Sequence, residues 1–255
     1  MANSDVALSD DVFSLFNNPA GLAQLGWREL GLYYSPAPFG FKELANGYIA
    51  YSEPLGFGSA GIGAMTYGFE LYRESRLLLS FSTLYLNKFF FGVSFNYHIV
   101  SIQGYGNKSI FYINGGCLGY LMNDLRIGFF IQNINQASYT SDEDQFPILL
   151  NFGLSYTINE ILSLNCAIEK DIRYNASVRS GINYDIIDNL SLRIGFANEP
   201  AEFSCGIGIH FSYFNFDYAV FVHPDLGLTH QAGIIISFEK EGNRTRNIKE
   251  FLESK

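Results

Sequence analysis

The chain has 255 residues, a net charge of −9 and only 16% charged residues, against about 25% in an average soluble domain. This shortage of Lys and Arg argues against nucleic acid as a partner, because binding to phosphates needs an excess of basic side chains. Aromatic residues reach 16% while the mean hydropathy is only +0.08, which indicates finely interleaved polar and apolar residues. No run approaches the roughly 18 apolar residues of a membrane-spanning helix.

The first 27 residues are predicted to form a compact unit ahead of the strands. The stretch LSDDVFSLFNN, residues 8–18, favours a short helix with Ser9 as N-cap and acidic residues at the positive end of the helix dipole. Pro19 disfavours helical geometry at Asn18, so the helix is expected to end near Asn17, and Gly21 permits a tight turn. A unit of this size is too small to fold alone.

From about residue 28, apolar and polar residues alternate with a period of two, which is typical of strands whose two faces meet different surroundings. The run FFFGVSFNYHIV, residues 89–100, is a clear example. The pattern predicts about fourteen strands, near 28–36, 45–53, 56–69, 74–86, 89–101, 108–121, 124–134, 146–157, 161–170, 174–185, 189–197, 202–212, 214–222 and 228–239.

The connections between these strands alternate between tight and longer. Such alternation, with strands of roughly 9–13 residues, is expected of an antiparallel barrel that crosses a membrane. A soluble β-sandwich would also alternate, but its outer face usually carries Lys, Glu and Thr. Here one face is Phe, Leu, Ile, Val and Tyr, and the other is Ser, Gly, Asn and single charges. The fold class expected is therefore all-β: a transmembrane antiparallel β-barrel of about 14 strands, with a short N-terminal helical hatch in the lumen.

The third predicted strand is rich in glycine. Gly56, Gly58, Gly61 and Gly63 form a literal G-x-G-x-x-G within residues 56–63. A nucleotide site needs that pattern between a strand and a helix, whereas here it lies inside a strand. Glycine in a strand more often marks a bend, a bulge or a close approach of backbone, so a kink is a candidate here.

Polar side chains on the inner face are the candidate functional residues. They carry charge or can titrate, and they are His98, Arg126, Glu169, Arg179, Arg193, His210 and Asp217. They are expected either to form a packed polar interior that holds the N-terminal unit or to line a path for a solute.

Catalysis is not expected, because a nucleophile or water needs a positioned base and the four histidines show no such pattern. The sequence HPD at residues 223–225 reads as a turn. Cys117, Cys166 and Cys205 stand far apart with no metal-ligand spacing, so they are expected to be isolated buried or lipid-facing thiols. The sequence predicts no metal and no cofactor.

Two stretches resemble one family. ALSDDVFSLFNNPAGLA, residues 7–23, is similar to the N-terminal signature of the FadL-like outer-membrane proteins, particularly the PorV/PorQ branch. LGLTHQAGIIISF, residues 226–238, is similar to the last strand of that branch. The matching N-terminal residues are Ala7, Asp10, Asp11, Asn18, Pro19, Ala20, Gly21, Leu22 and Ala23. The resemblance implies a fourteen-stranded barrel in the bacterial outer membrane, both termini periplasmic, with the Asn18-Pro19-Ala20-Gly21 motif in a hatch.

The resemblance also implies a domain division: hatch 1–27, barrel 28–239 and periplasmic tail 240–255. Family members usually carry a signal peptide and a short stretch before this point, so residue 1 is not expected to be the precursor start. In the tail, Ile248, Phe251 and Leu252 stand at helical spacing. The tail is expected to be either a short docking helix or a frayed end.

Two non-enzymatic functions follow from the resemblance. The PorV branch implies a partner subunit in protein secretion or surface attachment of the type IX kind, bound to a larger membrane protein. The FadL branch implies transport of hydrophobic small molecules through a lateral opening at a kinked third strand, with a hydrophobic ligand or detergent in the lumen. Outer-membrane lipid is an expected partner in both. The PorV-like ends and the small loops favour the first function.

Overall fold

The computed structural model describes residues 1–139, 146–159, 161–239 and 244–253. Fourteen strands form a closed barrel in which each strand pairs antiparallel with its neighbours in sequence and β1 pairs with β14. The strands are β1 Glu29–Ser35, β2 Asn46–Leu55, β3 Gly58–Gly68, β4 Tyr72–Tyr85, β5 Phe89–Ile102, β6 Gly106–Met122, β7 Leu125–Ile131, β8 Leu149–Ile158, β9 Leu162–Asp171, β10 Ser177–Ile187, β11 Leu190–Asn198, β12 Ala201–Phe211, β13 Phe214–His223 and β14 Gly227–Ser237. The fold class and strand number predicted from the alternation are confirmed.

The two ends of the barrel differ. At one end, which we call the turn end, two or three residues join consecutive strands, and the chain also enters β1 and leaves β14 there. The opposite end, the loop end, carries the long connections 36–45 and 132–148 among shorter ones. The even number of strands is what brings the first and last strand ends to the same side.

The outer face of the wall is apolar over its whole circumference. Inward positions such as Ser191 and Ser204 are buried, whereas their outward neighbours Ile194 and Phe196 are 48% and 50% exposed. The outward thiols of Cys166 and Cys205 are exposed and unpaired. An apolar band of this kind on a closed barrel, with polar residues inside, is the pattern of a lipid-facing wall. No helix in the described ranges is long and apolar enough to span a membrane.

Some strand boundaries differ from the prediction around the longest connection. β7 ends at Ile131 rather than near residue 134, and β8 begins at Leu149 rather than near 146. The reason is Asn133, which has a positive φ of 59° and whose amide nitrogen donates to the carbonyl oxygens of Ala137 and Phe146. A side chain that bonds backbone locally competes with the ladder, so the chain turns inward here.

The N-terminal residues 1–27, which we call the N-terminal segment, lie inside the barrel. α1 spans only Ser14–Asn17, and a 3₁₀ helix follows over Pro19–Gln24. The prediction of a helix starting after Ser9 is therefore wrong, although its end at Asn17 is confirmed. The backbone of residues 10–13 binds elsewhere: Val12 N donates to Glu29 at 3.0 Å, and Phe13 N donates to the Asp11 carboxylate at 2.8 Å.

The main apolar core is enclosed by the barrel. Val12, Leu15, Leu22 and Leu25 pack with Trp27 and with wall residues of β2, β4 and β14. The last described element, α2 Arg244–Glu253, adds Ile248 to this core from the turn end. Residues 240–243 and 254–255 of the predicted tail lie outside the described residues.

Candidate functional site

The lumen is the candidate site, and the Asn18-Pro19-Ala20-Gly21 motif is anchored within it. Asn18 is fully buried: its amide nitrogen donates to the carbonyl oxygens of Val6 (2.9 Å) and Cys117 (3.3 Å), and its oxygen accepts from Ala20 N at 3.2 Å. One side chain thus caps the 3₁₀ helix, holds the start of the segment and binds strand β6. At Gly21 a Cβ would lie 2.2 Å from Ser9 O, so only glycine fits.

Where the N-terminal segment passes, the wall lacks inward side chains at three places, which we call notches. Each notch is a pair of inward glycines directly opposite each other on adjacent strands: Gly92 with Gly116, Gly128 with Gly153, and Gly181 with Gly195. A Cβ on Gly92 would lie 2.3 Å from Ala20 N, and one on Gly128 would lie 2.4 Å from Val6 O. The missing side chains let the backbone of the segment lie against the backbone of the wall. The one sequence signal for this close approach is a glycine at an inward position that pairs with an inward glycine on the next strand.

The inward polar residues predicted from sequence all line the lumen, in separate groups. Arg126 donates to Asp10 at 3.1 Å, which ties β7 to the N-terminal segment. Arg179 donates to Glu169 at 2.5 Å between β10 and β9, and Arg193 pairs with Asp217 across β11 and β13. Each of these three arginines therefore has a counter-charge, as burial of a charge requires. These groups match a packed polar interior more closely than a bare solute path.

His98 belongs to a cluster near the loop end, which we call the aromatic cluster: His98, Tyr112, Tyr139 and Phe146. The Tyr112 and Phe146 rings lie 4.5 Å apart, and Phe146 lies 5.6 Å from His98. His98 Nδ1 is hydrogen-bonded to the Tyr139 hydroxyl at 3.1 Å, and His98 Nε2 lies 3.1 Å from a Glu74 carboxylate oxygen. Sequence reasoning missed Tyr139 and Phe146, because they belong to the connection between β7 and β8 and fold back into the lumen.

His210 has the geometry of a catalytic base without an accessible nucleophile. Ser191 Oγ lies 3.2 Å from His210 Nε2, and His210 Nδ1 lies 3.0 Å from Asn215 Oδ1, distances suited to a nucleophile, a base and an orienting group. However, Ser191 has no exposed surface, so a substrate carbonyl cannot reach its oxygen. The arrangement is a hydrogen-bonded part of the wall.

A cavity of about 280 Å³ remains between the N-terminal segment and strands β9 to β14. Its described lining includes six aspartates and two arginines: Asp5, Asp10, Asp11, Asp185, Asp188, Asp217, Arg193 and Arg244. The excess of carboxylates gives it a negative potential that favours cations over anions. In the described part of the chain, no cluster of His, Cys, Asp and Glu is arranged to hold a metal ion.

The glycines of the third strand make room for the N-terminal segment. β3 is described throughout, and its ladders with β2, from Gly58 to Tyr67, and with β4, from Gly58 to Gly68, have no register shift, so no bulge interrupts the strand. A Cβ on Gly61 would lie 2.8 Å from Leu15, and one on Gly63 would lie 3.1 Å from Phe16. Gly56 lies in the turn before the strand.

Comparison with known proteins gives matches by structure alone. No family model matches the chain, and no curated protein matches it by sequence. Among solved structures, the monoaromatic hydrocarbon channel CymD superposes with a TM-score of 0.67 at 13% identity, over 90% of this chain and 93% of that chain.

Two further neighbours have the same architecture. The toluene transporter TodX of Pseudomonas putida gives a TM-score of 0.62 at 14% identity, over 88% of this chain and 92% of that one. A FadL homologue of Pseudomonas aeruginosa gives 0.55 at 12% identity, over 89% and 93%. At these identities the likeness shows the fold alone, and none of the three neighbours is named as a subunit of a secretion system. The chain has the fold of the FadL-like outer-membrane channels.

Proposed function

We propose that the chain is a bacterial outer-membrane channel for small hydrophobic molecules, with residues 1–27 acting as a hatch across its lumen. The apolar outer wall supports a membrane location, and the neighbours named above are a monoaromatic hydrocarbon channel and a toluene transporter. The observation that carries the proposal is the filled lumen: the N-terminal segment contacts wall glycines on β1, β3, β5, β6, β7, β8, β10 and β11. Any solute then passes only when the segment moves. We propose that the barrel is oriented with its turn end, and therefore both chain ends, facing the periplasm.

Aromatic side chains support a hydrophobic solute. The aromatic cluster lies near the loop end, and Arg76 connects it to the hatch, because Arg76 donates to the Tyr112 hydroxyl at 3.1 Å and lies 5.2 Å from the Phe16 ring centroid. Phe16 in turn packs edge-on against Tyr48 at 4.9 Å. Ring faces in series from the loop end to the hatch offer successive contacts to a flat apolar molecule.

The route we propose leaves through the turn end rather than through the wall. Both ladders of β3 are continuous, and a lateral opening would break hydrogen bonds that lipid cannot replace. The cavity lies between the hatch and β9 to β14, so it already occupies part of the path to the turn end.

The test is uptake by bacteria that lack a channel of their own for aromatic hydrocarbons. Cells carrying the full chain are expected to take up a labelled monoaromatic hydrocarbon several-fold faster than cells with an empty vector, and a labelled sugar no faster. Phe146→Ala, inside the aromatic cluster, is expected to change the rate. Phe91→Ala, on the outer face of β5 and 49% exposed, is the matched control and leaves it unchanged. Equal hydrocarbon uptake with and without the chain refutes the proposal.

A further inference from the structure

The helix α2 lies across the turn end of the barrel and packs mainly on the N-terminal segment. Ile248 is 1% exposed and belongs to the core formed by Val12, Leu15 and Leu22. Leu252 packs against that core and against the second cluster around Ala20 and Phe90. The apolar side chains of α2 stand one turn apart on one face, and that face is covered by the segment.

A single guanidinium joins α2 to the barrel and to the segment. Arg244 donates to Glu29 Oε1 at 2.7 Å and to the carbonyl oxygen of Asp10 at 2.7 Å. Glu29, the first residue of β1, is fully buried, and its carboxylate also accepts from Val12 N, Trp27 Nε1 and Ser237 Oγ. Arg244 is therefore a counter-charge for a buried carboxylate that organises β1, β14 and the segment at once.

Further contacts close the rim around this pair. Lys249 Nζ lies 3.3 Å from the Asp124 carboxylate in the turn between β6 and β7, on the far side of the opening from β1. At Gly26 a Cβ would lie 2.4 Å from the ring of Phe251, so the end of α2 rests on the backbone where the segment joins β1. The helix thus bridges opposite parts of the turn end.

We propose that α2 is a latch that holds the N-terminal segment in the lumen, so that the segment moves only after α2 has left the turn end. The inference rests on the proposed function, because it concerns the control of the same hatch. Movement of the segment while α2 stays docked would leave Ile248 without its core and Glu29 without Val12 N. Release of α2 removes the packing of Ile248 and the contact of Arg244 with Glu29 together. The position of α2 is thereby coupled to the opening of the lumen.

The experiment measures access to the segment in the full chain. Cys117, Cys166 and Cys205 are replaced by Ala, and Ser4→Cys places a thiol at a fully buried position of the segment. The rate of labelling by a water-soluble maleimide is expected to rise at least tenfold in Arg244→Gln and in Ile248→Asn. Glu250→Gln, on the exposed side of the same helix, is the matched control and stays within twofold of the parent. Unchanged rates in both latch variants, with the barrel still heat-modifiable on gels, overturn the proposal.

A disulfide gives the converse measurement. Gly26→Cys with Phe251→Cys brings two Cβ atoms into the range that a disulfide spans. In the latch variants, oxidation of this cysteine pair is expected to return the rate of labelling at position 4 to at most the parent rate. Labelling that stays faster than in the parent after oxidation overturns the latch. If labelling rises in the latch variants but hydrocarbon uptake equals that of empty-vector cells, the latch stands and the channel function fails. If uptake occurs while labelling is unchanged, the channel stands and the latch is wrong.

Discussion

At the scale of single residues, the inward glycines are the positions where the wall and the N-terminal segment meet most closely. Gly128→Ala would place a methyl group 2.4 Å from Val6 O and 2.7 Å from Ala7 Cα, both backbone atoms that cannot swing away. Overpacking of this kind typically costs about 1–3 kcal/mol. We expect Gly128→Ala to loosen the segment, measured as faster cleavage of residues 1–27 by protease while the barrel stays resistant.

Gly233→Ala is the matched control for this substitution. Gly233 is also an inward glycine, on β14, but a Cβ there would lie 3.6 Å from Leu32 O, an ordinary contact. We expect its cleavage rate to equal that of the parent chain. Equal protection in the two variants would show that the notches do not hold the segment.

At the scale of elements, the docking of the N-terminal segment is expected to depend on pH through Asp11. Burial, opposed by Arg244 and reinforced by Glu29 and Asp10, raises the pKa of Asp11 to about 7 from its ordinary value of 3.8. Between about pH 4 and about pH 7, Asp11 therefore keeps its proton in the docked segment and loses it in a released segment. The contribution of Asp11 to docking is complete below about pH 4 and is lost as the pH rises to about 7.

The single tryptophan reports on this change. Trp27 is buried, and its Nε1 donates to Glu29, so acrylamide quenching of its emission is expected to increase between pH 4.5 and 7.5 and to level off above. Asp11→Asn is expected to flatten that curve, whereas Asp225→Asn, in the connection between β13 and β14 at the loop end, keeps it. A curve of parent shape in Asp11→Asn would assign the pH dependence to another group.

The elements also show what the sequence could and could not predict. Alternation with period two predicted the strands and placed Arg126, Arg179 and Arg193 on the inner face, because side-chain direction depends only on parity along a strand. It did not predict that Arg126 would meet Asp10, since pairing across the lumen depends on register and on the path of the segment. The predicted helix after Ser9 is absent for a related reason: Val12 N donates to Glu29 on the wall, a long-range contact that the local capping residues do not reveal.

At the scale of the whole molecule, the distribution of charge predicts which ions pass when the hatch moves. Six aspartates and two arginines line the cavity, and rings of carboxylates select cations in pores. In planar bilayers with a salt gradient, we expect open events of the full chain to show a reversal potential on the cation-selective side. Asp185→Asn with Asp188→Asn, on the wall at the turn end, is expected to shift that potential toward zero.

The control for selectivity is Glu43→Gln, which removes an exposed carboxylate in the connection between β1 and β2 at the loop end. This variant tests whether the shift in reversal potential depends on where the carboxylate lies or only on the net charge of the molecule. If Glu43→Gln shifts the potential as far as the double variant does, the long-range field of the molecule sets selectivity. If it leaves the potential unchanged while the double variant shifts it, ions pass through the acidic cavity when the hatch has moved.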